Sequence, residues 1–450
     1  MPRAIALKSR RAVAWSIAVG SLLVATTAHA SPEDLFGYGT RTCAMGATGT
    51  AHAEGYESAF HNPALASDVR RPKLSLGFMG AVFRLDAEGP GLPGRTSQSP
   101  AKGTIIGAEL PIPFRGKLQD RVGIALGFYE PTDIVIRGRV LYTDKTQFPL
   151  LGERSQSLAI RVGLGANLGY GIRVGGGFAA LAEIGGGVVA ATDASGRVGT
   201  RVDDQLVAKY APVVGASYDL PLKGPETWRI GAIYRGWIAA RFSVAIDGTK
   251  LSSLSIPRFN IAGVGQYDPS QVAVEVARRT DDTVLAAQLV WKKWSAYPGV
   301  LEPTVVCADG GVGACGLLPP HIEYKDTFAL HVGADRAFRL GPVRLHARGG
   351  AFYEQSPLPE AIPGSQAFDA ASRQTVDVAT RYFDADRVAF TVGTGVEFDA
   401  LLPMTLDMFA QEHVLVPRTV RSSSDAGAAL SEGDVSGHIT VLGMTFGVKF

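Results

Sequence analysis

The residues best placed to bind a charged ligand are arginines that recur at alternate positions in strand-like segments. Arg235 and Arg241 share one face of segment 227–247, and Arg348 lies on the polar face of segment 341–353. Side chains alternate between the two faces of a strand, so each of these arginines is expected to point inward from its sheet. A guanidinium group binds a carboxylate through two parallel hydrogen bonds. The pattern therefore indicates a site for a ligand with an acidic head.

Aromatic side chains can supply the apolar part of such a site. Trp237 shares the arginine face of segment 227–247, and Phe36 and Phe60 lie in an N-terminal stretch that does not alternate. An amphipathic acid requires an apolar pocket with one or two cations. Two other interpretations stay open. The arginines could pair with inward carboxylates, and the aromatic residues could simply pack. The carboxylates at inward positions are Glu275, Glu397 and Asp407.

The chain offers little for catalysis, for a metal or for nucleic acid. No G-x-S-x-G sequence is present, and no serine has an evident histidine partner to act as its base. His331, His346 and His438 are isolated and lack metal-ligand spacing. The formal net charge is +2, so the charge balance does not suggest nucleic acid. We therefore expect neither an enzyme nor a cofactor.

The three cysteines suggest one disulfide. Cys307 and Cys315 stand eight positions apart in a glycine-rich connection. In an oxidising compartment such a pair is predicted to form a loop disulfide. Cys43, in the N-terminal stretch, is then left over and is predicted to be buried and inert.

Residues 1–30 have the pattern of a secretory signal peptide. A basic start is followed by an apolar stretch over 12–25 and by an A-x-A site ending at Ala30. After residue 30 there is no apolar run of 18 residues, so no spanning helix is expected. Residues 31–72 are rich in Gly and Ala and are predicted to form a compact plug with one or two short helices.

Residues 73–450 are predicted to form a transmembrane antiparallel β-barrel of about 14 strands, so the fold class is all-β. Strand-like runs follow one another from Lys73 to the end, and the connections between them alternate short and long. Barrels of the bacterial outer membrane have short periplasmic turns and long extracellular loops. A soluble β-sandwich has no reason to segregate its loops in this way. The predicted strands are 73–86, 103–112, 121–130, 156–168, 173–193, 200–219, 227–247, 257–277, 283–297, 324–338, 341–353, 386–399, 402–416 and 436–450.

The last strand is predicted to close the barrel. Segment Ser436–Phe450 alternates apolar with small or polar residues and ends on an aromatic residue. It resembles the C-terminal strand of outer-membrane barrels, and we expect it to pair with the first strand near Lys73. Phe450 is then the signal for the barrel-assembly machinery. The expected surroundings are outer-membrane lipid, and the expected state is a monomer.

Several short motifs appear in an order that resembles the FadL/TodX family of outer-membrane transporters. The N-terminal stretch ends on H-N-P-A-L at 61–65, and later segments resemble the family's strand and loop motifs. Those later segments are I-G-A-I-Y-R at 230–235, L-V-W-K-K-W-S at 289–295 and A-F-Y-E-Q-S-P-L-P at 351–359.

The resemblance implies a 14-stranded barrel with an N-terminal hatch, and a function in uptake. Asn62, Pro63 and Ala64 match the hatch motif of the family. The family takes up long-chain fatty acids and other hydrophobic molecules passively, through a pocket near the hatch and a lateral gap at a kinked strand. The short connection 194–199 departs from the family, whose external groove is built from a long apolar loop. A structural or secretion-associated barrel without lipid transport is therefore the alternative.

Overall fold

The protein is described by a computed structural model that covers residues 32–132, 143–152, 158–192, 198–250, 259–302, 317–369, 372, 374–398 and 403–450. The helices are short. They are α1 (Pro32–Phe36), α2 (Thr40–Ala44) and α3 (Ser58–His61), with 3-10 helices at Gly55–Glu57, Pro63–Asp68, Gly116–Leu118 and Trp294–Ala296. Among the described residues, no helix is long and apolar enough to cross a membrane.

The rest of the described chain is mainly β-strand. The first strands are β1 (Lys73–Glu88), β2 (Gly94–Thr96), β3 (Ala101–Pro111), β4 (Val122–Pro131), β5 (Ala159–Gly169), β6 (Ile172–Thr192), β7 (Val198–Leu220) and β8 (Thr227–Arg235). The next are β9 (Ile238–Lys250), β10 (Phe259–Asp268), β11 (Gln271–Arg279), β12 (Thr283–Lys292), β13 (Leu301–Glu302), β14 (Leu317–Leu318), β15 (Thr327–Leu340) and β16 (Val343–Glu354). The last are β17 (Ala361–Pro363), β18 (Ser365–Asp369), β19 (Gln374–Val378), β20 (Arg387–Phe398), β21 (Met404–Leu415), β22 (Arg418–Ser423) and β23 (Ala429–Lys449).

Fourteen of these strands form a closed antiparallel ring, as the sequence predicts. Around the ring the order is β1, β3, β4, β5, β6, β7, β8, β11, β12, β15, β16, β20, β21 and β23. The ring closes where β23 pairs with β1, from Lys73 opposite Lys449 to Glu88 opposite Asp434. The predicted pairing of the last strand with the first is thus confirmed. Each strand of the ring thus has a paired neighbour on both sides.

The outside of the ring is apolar because alternate side chains point outward. On β1 the exposed residues include Leu74, Leu76 and Phe78, and on the adjoining β23 they include Leu442 and Met444. Large apolar side chains facing outward in a continuous band are unfavourable in water and suit the hydrocarbon of a membrane. The wall is therefore a membrane-spanning barrel.

Residues 32–72, which we call the plug, lie inside the barrel. Its 3-10 helix Pro63–Asp68 packs against β4, β5, β6 and β7, whereas α2 packs against β16, β20, β21 and β23 on the other side. The plug therefore contacts opposite sides of the wall. The predicted one or two short helices become three α-helices and two 3-10 helices.

Two predicted strands are broken, and this changes the outer end of the barrel. The predicted strand 227–247 is wrong as a single element, because β8 ends at Arg235 and β9 begins at Ile238. The predicted strand 257–277 is likewise interrupted after Asp268, at Pro269. Proline has no N–H for the ladder and so favours a break there.

Beyond these breaks, β9 and β10 form an inserted hairpin that we call the lid (238–268). β9 pairs in parallel with β6 from Ile184 opposite Phe242, on the edge of β6 that β5 leaves free beyond Leu181. Ile238 is buried and belongs to the same apolar cluster as Phe36 of the plug. The base of the lid therefore packs toward the plug, while the rest of β9 is paired with the wall through β6.

Candidate functional site

Asn62 joins the plug to the wall. Its Nδ2 donates to the main-chain oxygens of Thr50 (2.7 Å) and of Ala216 in β7 (3.0 Å). Its Oδ1 accepts from the main-chain N–H of Ala64 (3.1 Å), which caps the following 3-10 helix. Pro63 opens that helix, where its missing N–H has no partner to lose. The three hatch-motif residues thus lie at a fully buried plug–wall contact.

Glycines in the wall allow the plug to approach this closely. A Cβ atom at Gly175 or Gly215 would come closer than 3.0 Å to Ala64 or Asn62, and one at Gly231 would do so to Thr50. The other side of the barrel repeats the pattern. There, Cβ atoms at Gly333, Gly350 and Gly393 would clash with Met45, Gly46 and Ala44. The sequence does not by itself identify these wall glycines as plug contacts. Inward glycines recurring on successive strands were the available signal.

Polar side chains of the wall bind the main chain of the plug. Glu275 accepts from the N–H groups of Gly49 (2.6 Å) and Thr50 (2.7 Å). Gln411 donates to the main-chain oxygens of Phe36 and Cys43, each over 3.0 Å. Glu275 was expected to point inward, and it does so with full burial. These contacts satisfy plug groups that have no secondary-structure partner.

A small cavity of about 40 Å³ lies between the wall and the plug, whose helix α1 borders it. Arg235, at the end of β8, lines this cavity together with Phe60 and Lys292. Its guanidinium carbon stands 3.8 Å from the centroid of the Phe60 ring. Its Nε and Nη1 atoms are buried and have no hydrogen-bond partner among the described residues. The structure therefore brings two predicted site residues together and leaves one guanidinium group short of acceptors.

The neighbouring cations are paired. Arg161 reaches Glu33 of the plug over 2.7 Å and Asp268 of the lid over 3.5 Å. Lys292 reaches Glu354 over 2.6 Å and also contacts Asp34 over 3.2 Å. These pairs fix α1 beneath the lid.

Phe36 and Phe60 are packed within the plug. Phe36 is fully buried, with its ring centroid 5.3 Å from that of His413 and 6.3 Å from that of Phe83. Phe60 lies 5.5 Å from Tyr38 in the same way. Of the two, Phe60 also lines the cavity. Phe36 therefore fits the alternative in which the aromatic residues only pack against their neighbours.

Three predicted site residues lie elsewhere. Trp237 is 58% exposed at the break between β8 and β9, and Arg241 is exposed in the lid, so neither lines the cavity at Arg235 and Phe60. The physical reason is that β8 ends at Arg235, so the alternation of the wall strand does not continue through the break into the lid. Arg348 does point inward, but Asp335 (3.1 Å) and Asp407 (2.5 Å) occupy its guanidinium.

An aromatic cluster lies next to the lid. Tyr267 stacks on Trp237 with ring centroids 6.5 Å apart, and it contacts Tyr297 (4.9 Å) and Trp294 (5.9 Å). Trp294 is buried and so does not face lipid. The cluster covers the plug from the side of the long loops.

A second cavity, of about 700 Å³, opens at the end with the short turns. Charged residues of the plug and the wall line it, among them Arg41, Glu54, Asp68, Arg229 and Arg279. Burial alone would raise the pKa of Glu54, but Arg41 and Arg279 outweigh it and hold that pKa below its usual range. An ion-paired vestibule of this kind does not suit a hydrophobic molecule.

Two buried plug groups have shifted proton affinities. Burial raises the pKa of Glu57 to about 7, although the main-chain N–H groups of Arg41 and Thr42 bind its carboxylate. Burial likewise raises the pKa of the Cys43 thiol. Cys43 is a free, buried cysteine, as predicted. Cys307 and Cys315 lie outside the described residues.

Comparison with known proteins identifies the fold through structure alone. No protein-family model matches the chain, and no curated protein matches it by sequence. A Pseudomonas aeruginosa FadL homologue is 15% identical and covers 95% of this chain and 99% of its own, with a TM-score of 0.61. The P. putida toluene transporter TodX is 14% identical over 92% and 99% of the two chains, with a TM-score of 0.55. The CymD monoaromatic hydrocarbon channel is 13% identical over 92% and 97%, with a TM-score of 0.51. The chain has the fold of the FadL and TodX channels.

Proposed function

We propose that the protein is a bacterial outer-membrane channel for the passive uptake of hydrophobic molecules. The observation that carries the proposal is the plugged barrel itself, with an apolar exterior and an internal cavity lined by Phe60 and Arg235. The structural relatives support it, because TodX is a toluene transporter and CymD a monoaromatic hydrocarbon channel.

We infer that the substrate is an amphipathic acid, most simply a long-chain fatty acid. Arg235 supports this inference, because its buried nitrogens lack acceptors that a carboxylate provides. A neutral hydrocarbon makes no use of that guanidinium. The cavity of about 40 Å³ holds a head group at most, so the plug or the lid must move before an acyl chain enters.

The two substrate classes are separated by an uptake experiment with Arg235→Gln. We expect oleate uptake by cells to fall about tenfold, since a lost charge-assisted hydrogen bond amounts to roughly 1.5–3 kcal/mol. Toluene uptake by the same cells should not change. Arg344→Gln, at the end of the barrel with the short turns, is the matched control. Equal loss of both substrates would contradict the acid-binding role of Arg235, and an unchanged oleate rate would do so as well.

A structural or secretion-associated barrel remains the alternative function. The extent of the plug–wall contact favours it, because hydrogen bonds and ion pairs reach the plug from both sides of the ring. A barrel of this kind has no substrate. It therefore predicts that deletion of the gene leaves uptake of every hydrophobic molecule unchanged.

The processing of the chain and its assembly into the membrane are inferred from its sequence and from one contact of Phe450. We infer removal of residues 1–30, a hatch at 31–72 and a monomeric barrel at 73–450. Phe450 is 66% exposed, and its N–H donates to the main-chain oxygen of Pro72 over 2.9 Å. Its side chain is thus available to the barrel-assembly machinery at the rim.

A further inference from the structure

A polar cleft of about 570 Å³ opens among loops at the end of the barrel that carries the long connections. Its walls come from residues 93–98, 144–146 and 378–381. A volume in this range is typical of small-molecule sites. The plug and Arg235 contribute nothing to its lining, so the cleft is separate from the proposed transport site.

The cleft carries an excess of positive charge. Arg95, Lys145 and Arg381 line it, and Asp144 is the one carboxylate among its described lining residues. Asp144 pairs with Lys145 over 3.6 Å, and Arg95 reaches Asp86 over 3.2 Å. The Arg95 side chain is 76% exposed and the Lys145 side chain 68%, so both cations remain open to a ligand.

Arg381 is held in place by its main chain, while part of its side chain lacks an acceptor. Its N–H donates to the oxygen of Thr143 (2.8 Å), and its own oxygen accepts from the N–H of Gln147 (3.0 Å). Its Nε is buried and has no partner among the described residues. A buried donor left in this state is unfavourable. Arg381 also lines the cleft, so its guanidinium group is a positioned cation beside any anion bound there.

The other lining residues indicate what the anion is attached to. Hydroxyl and amide groups surround the cations, and the apolar lining is aliphatic and small. The polar residues are Thr96, Ser97, Gln98 and Thr146, and the apolar ones are Pro93, Val378 and Ala379. Hydroxyl and amide groups exchange hydrogen bonds with sugar hydroxyls, and guanidinium groups bind phosphate bidentately. An acyl chain would find little apolar surface there.

The geometry points to a binding site for a phosphorylated saccharide in this cleft. Arg381, Arg95 and Lys145 hold the phosphate, and the hydroxyl groups of Ser97 and Thr146 hold the sugar. The cleft lies at the outer rim of a membrane barrel, so the ligand is either the phosphorylated sugar head of a membrane lipid or a free sugar phosphate. The proposal does not depend on which molecule the barrel transports.

The test uses the purified full chain in a neutral detergent, with native mass spectrometry and calorimetry as readouts. One arm offers lipid A, a phosphorylated glucosamine lipid, and its dephosphorylated form. The other arm offers glucosamine 1-phosphate. We expect the wild type to bind at least one phosphorylated probe and to ignore dephosphorylated lipid A. Binding of lipid A alone identifies a lipid head group, and binding of glucosamine 1-phosphate alone identifies a free ligand.

Arg381→Gln should weaken this binding about tenfold or more, because a charge-assisted contact is lost. Lys145→Gln is the second variant, since that exposed residue can be changed without disturbing the fold. Arg421→Gln is the control, because Arg421 is an exposed arginine paired with Glu432 outside the cleft. The proposal is overturned if the wild type binds neither phosphorylated probe. It is also overturned if Arg381→Gln and Lys145→Gln both bind as tightly as the wild type.

Discussion

Asn62 of the plug and Ala216 of β7 are joined by a hydrogen bond of 3.0 Å, although 154 positions separate them in the chain. The same side-chain nitrogen also donates to Thr50 within the plug. One amide group thus fixes the fold of the plug and its position on the wall. The hatch motif therefore acts in plug placement, and any role in transport follows from that.

Replacing Asn62 by Ala removes all three hydrogen bonds of its side chain. We expect the plug amides to exchange with deuterium about tenfold faster, since a buried unpaired group is unfavourable by roughly 1–3 kcal/mol. Uptake should fall, because the cavity at Phe60 and Arg235 loses its support. Asn62→Asp is the control that retains the acceptor for Ala64. Failure of the barrel to assemble would show that the motif serves assembly instead.

Two adjacent glycines give a matched test of the close plug–wall contact. Gly175→Ala places a methyl group against Ala64, whereas Gly176→Ala meets nothing closer than 3.9 Å. We expect the first change to destabilise the plug by about 1–3 kcal/mol, as overpacking does, and the second to have little effect. Protection of plug amides in hydrogen exchange measures both. Equal protection in the two variants would contradict the contact.

The Cys43 thiol should report on the plug. In a chain with Cys307 and Cys315 replaced by serine, Cys43 is the remaining thiol, and it is fully buried. We expect no labelling by a maleimide reagent in the native barrel and complete labelling in denaturant. Adding Gly175→Ala to that chain should speed labelling. Rapid labelling of the parent protein would mean that the plug is open at rest.

The plug should become less stable as the pH rises toward 8. Burial raises the pKa of Glu57 to about 7 from 4.5, so the folded plug binds this proton more tightly than the unfolded plug does. The resulting stabilisation is present below pH 4.5 and is lost as the pH rises through about 7. Amide protection of α2 should therefore be greater at pH 5 than at pH 8. Glu57→Gln should reduce this difference, and a difference that is undiminished in Glu57→Gln would assign it to another group.

The sequence predicts the wall better than it predicts the interior. Alternation and loop length are local properties, so the strands from Lys73 to Phe450 and the closing pair are found without coordinates. The lid was missed because Trp237 and Arg241 continue the alternation of β8 across Gly236. Alternation does not show which strand a segment pairs with, and β9 pairs with β6.

The site is less predictable for the same reason. Arg235 and Arg348 are equivalent in the sequence pattern. In the structure Asp335 and Asp407 form ion pairs with Arg348 and not with Arg235. Ion pairing of this kind depends on contacts between distant strands and the plug. The roles of the wall glycines and of Glu275 also depend on contacts between the wall and the plug, which the sequence does not show.

The most direct test of the account is passive uptake of labelled hydrophobic molecules by energy-depleted cells with and without the protein. The panel should contain oleate and toluene, with a small hydrophilic sugar as the negative control. We predict that cells with the protein take up at least one hydrophobic molecule faster, and the sugar no faster. Equal rates across the whole panel would contradict the account and favour a structural barrel.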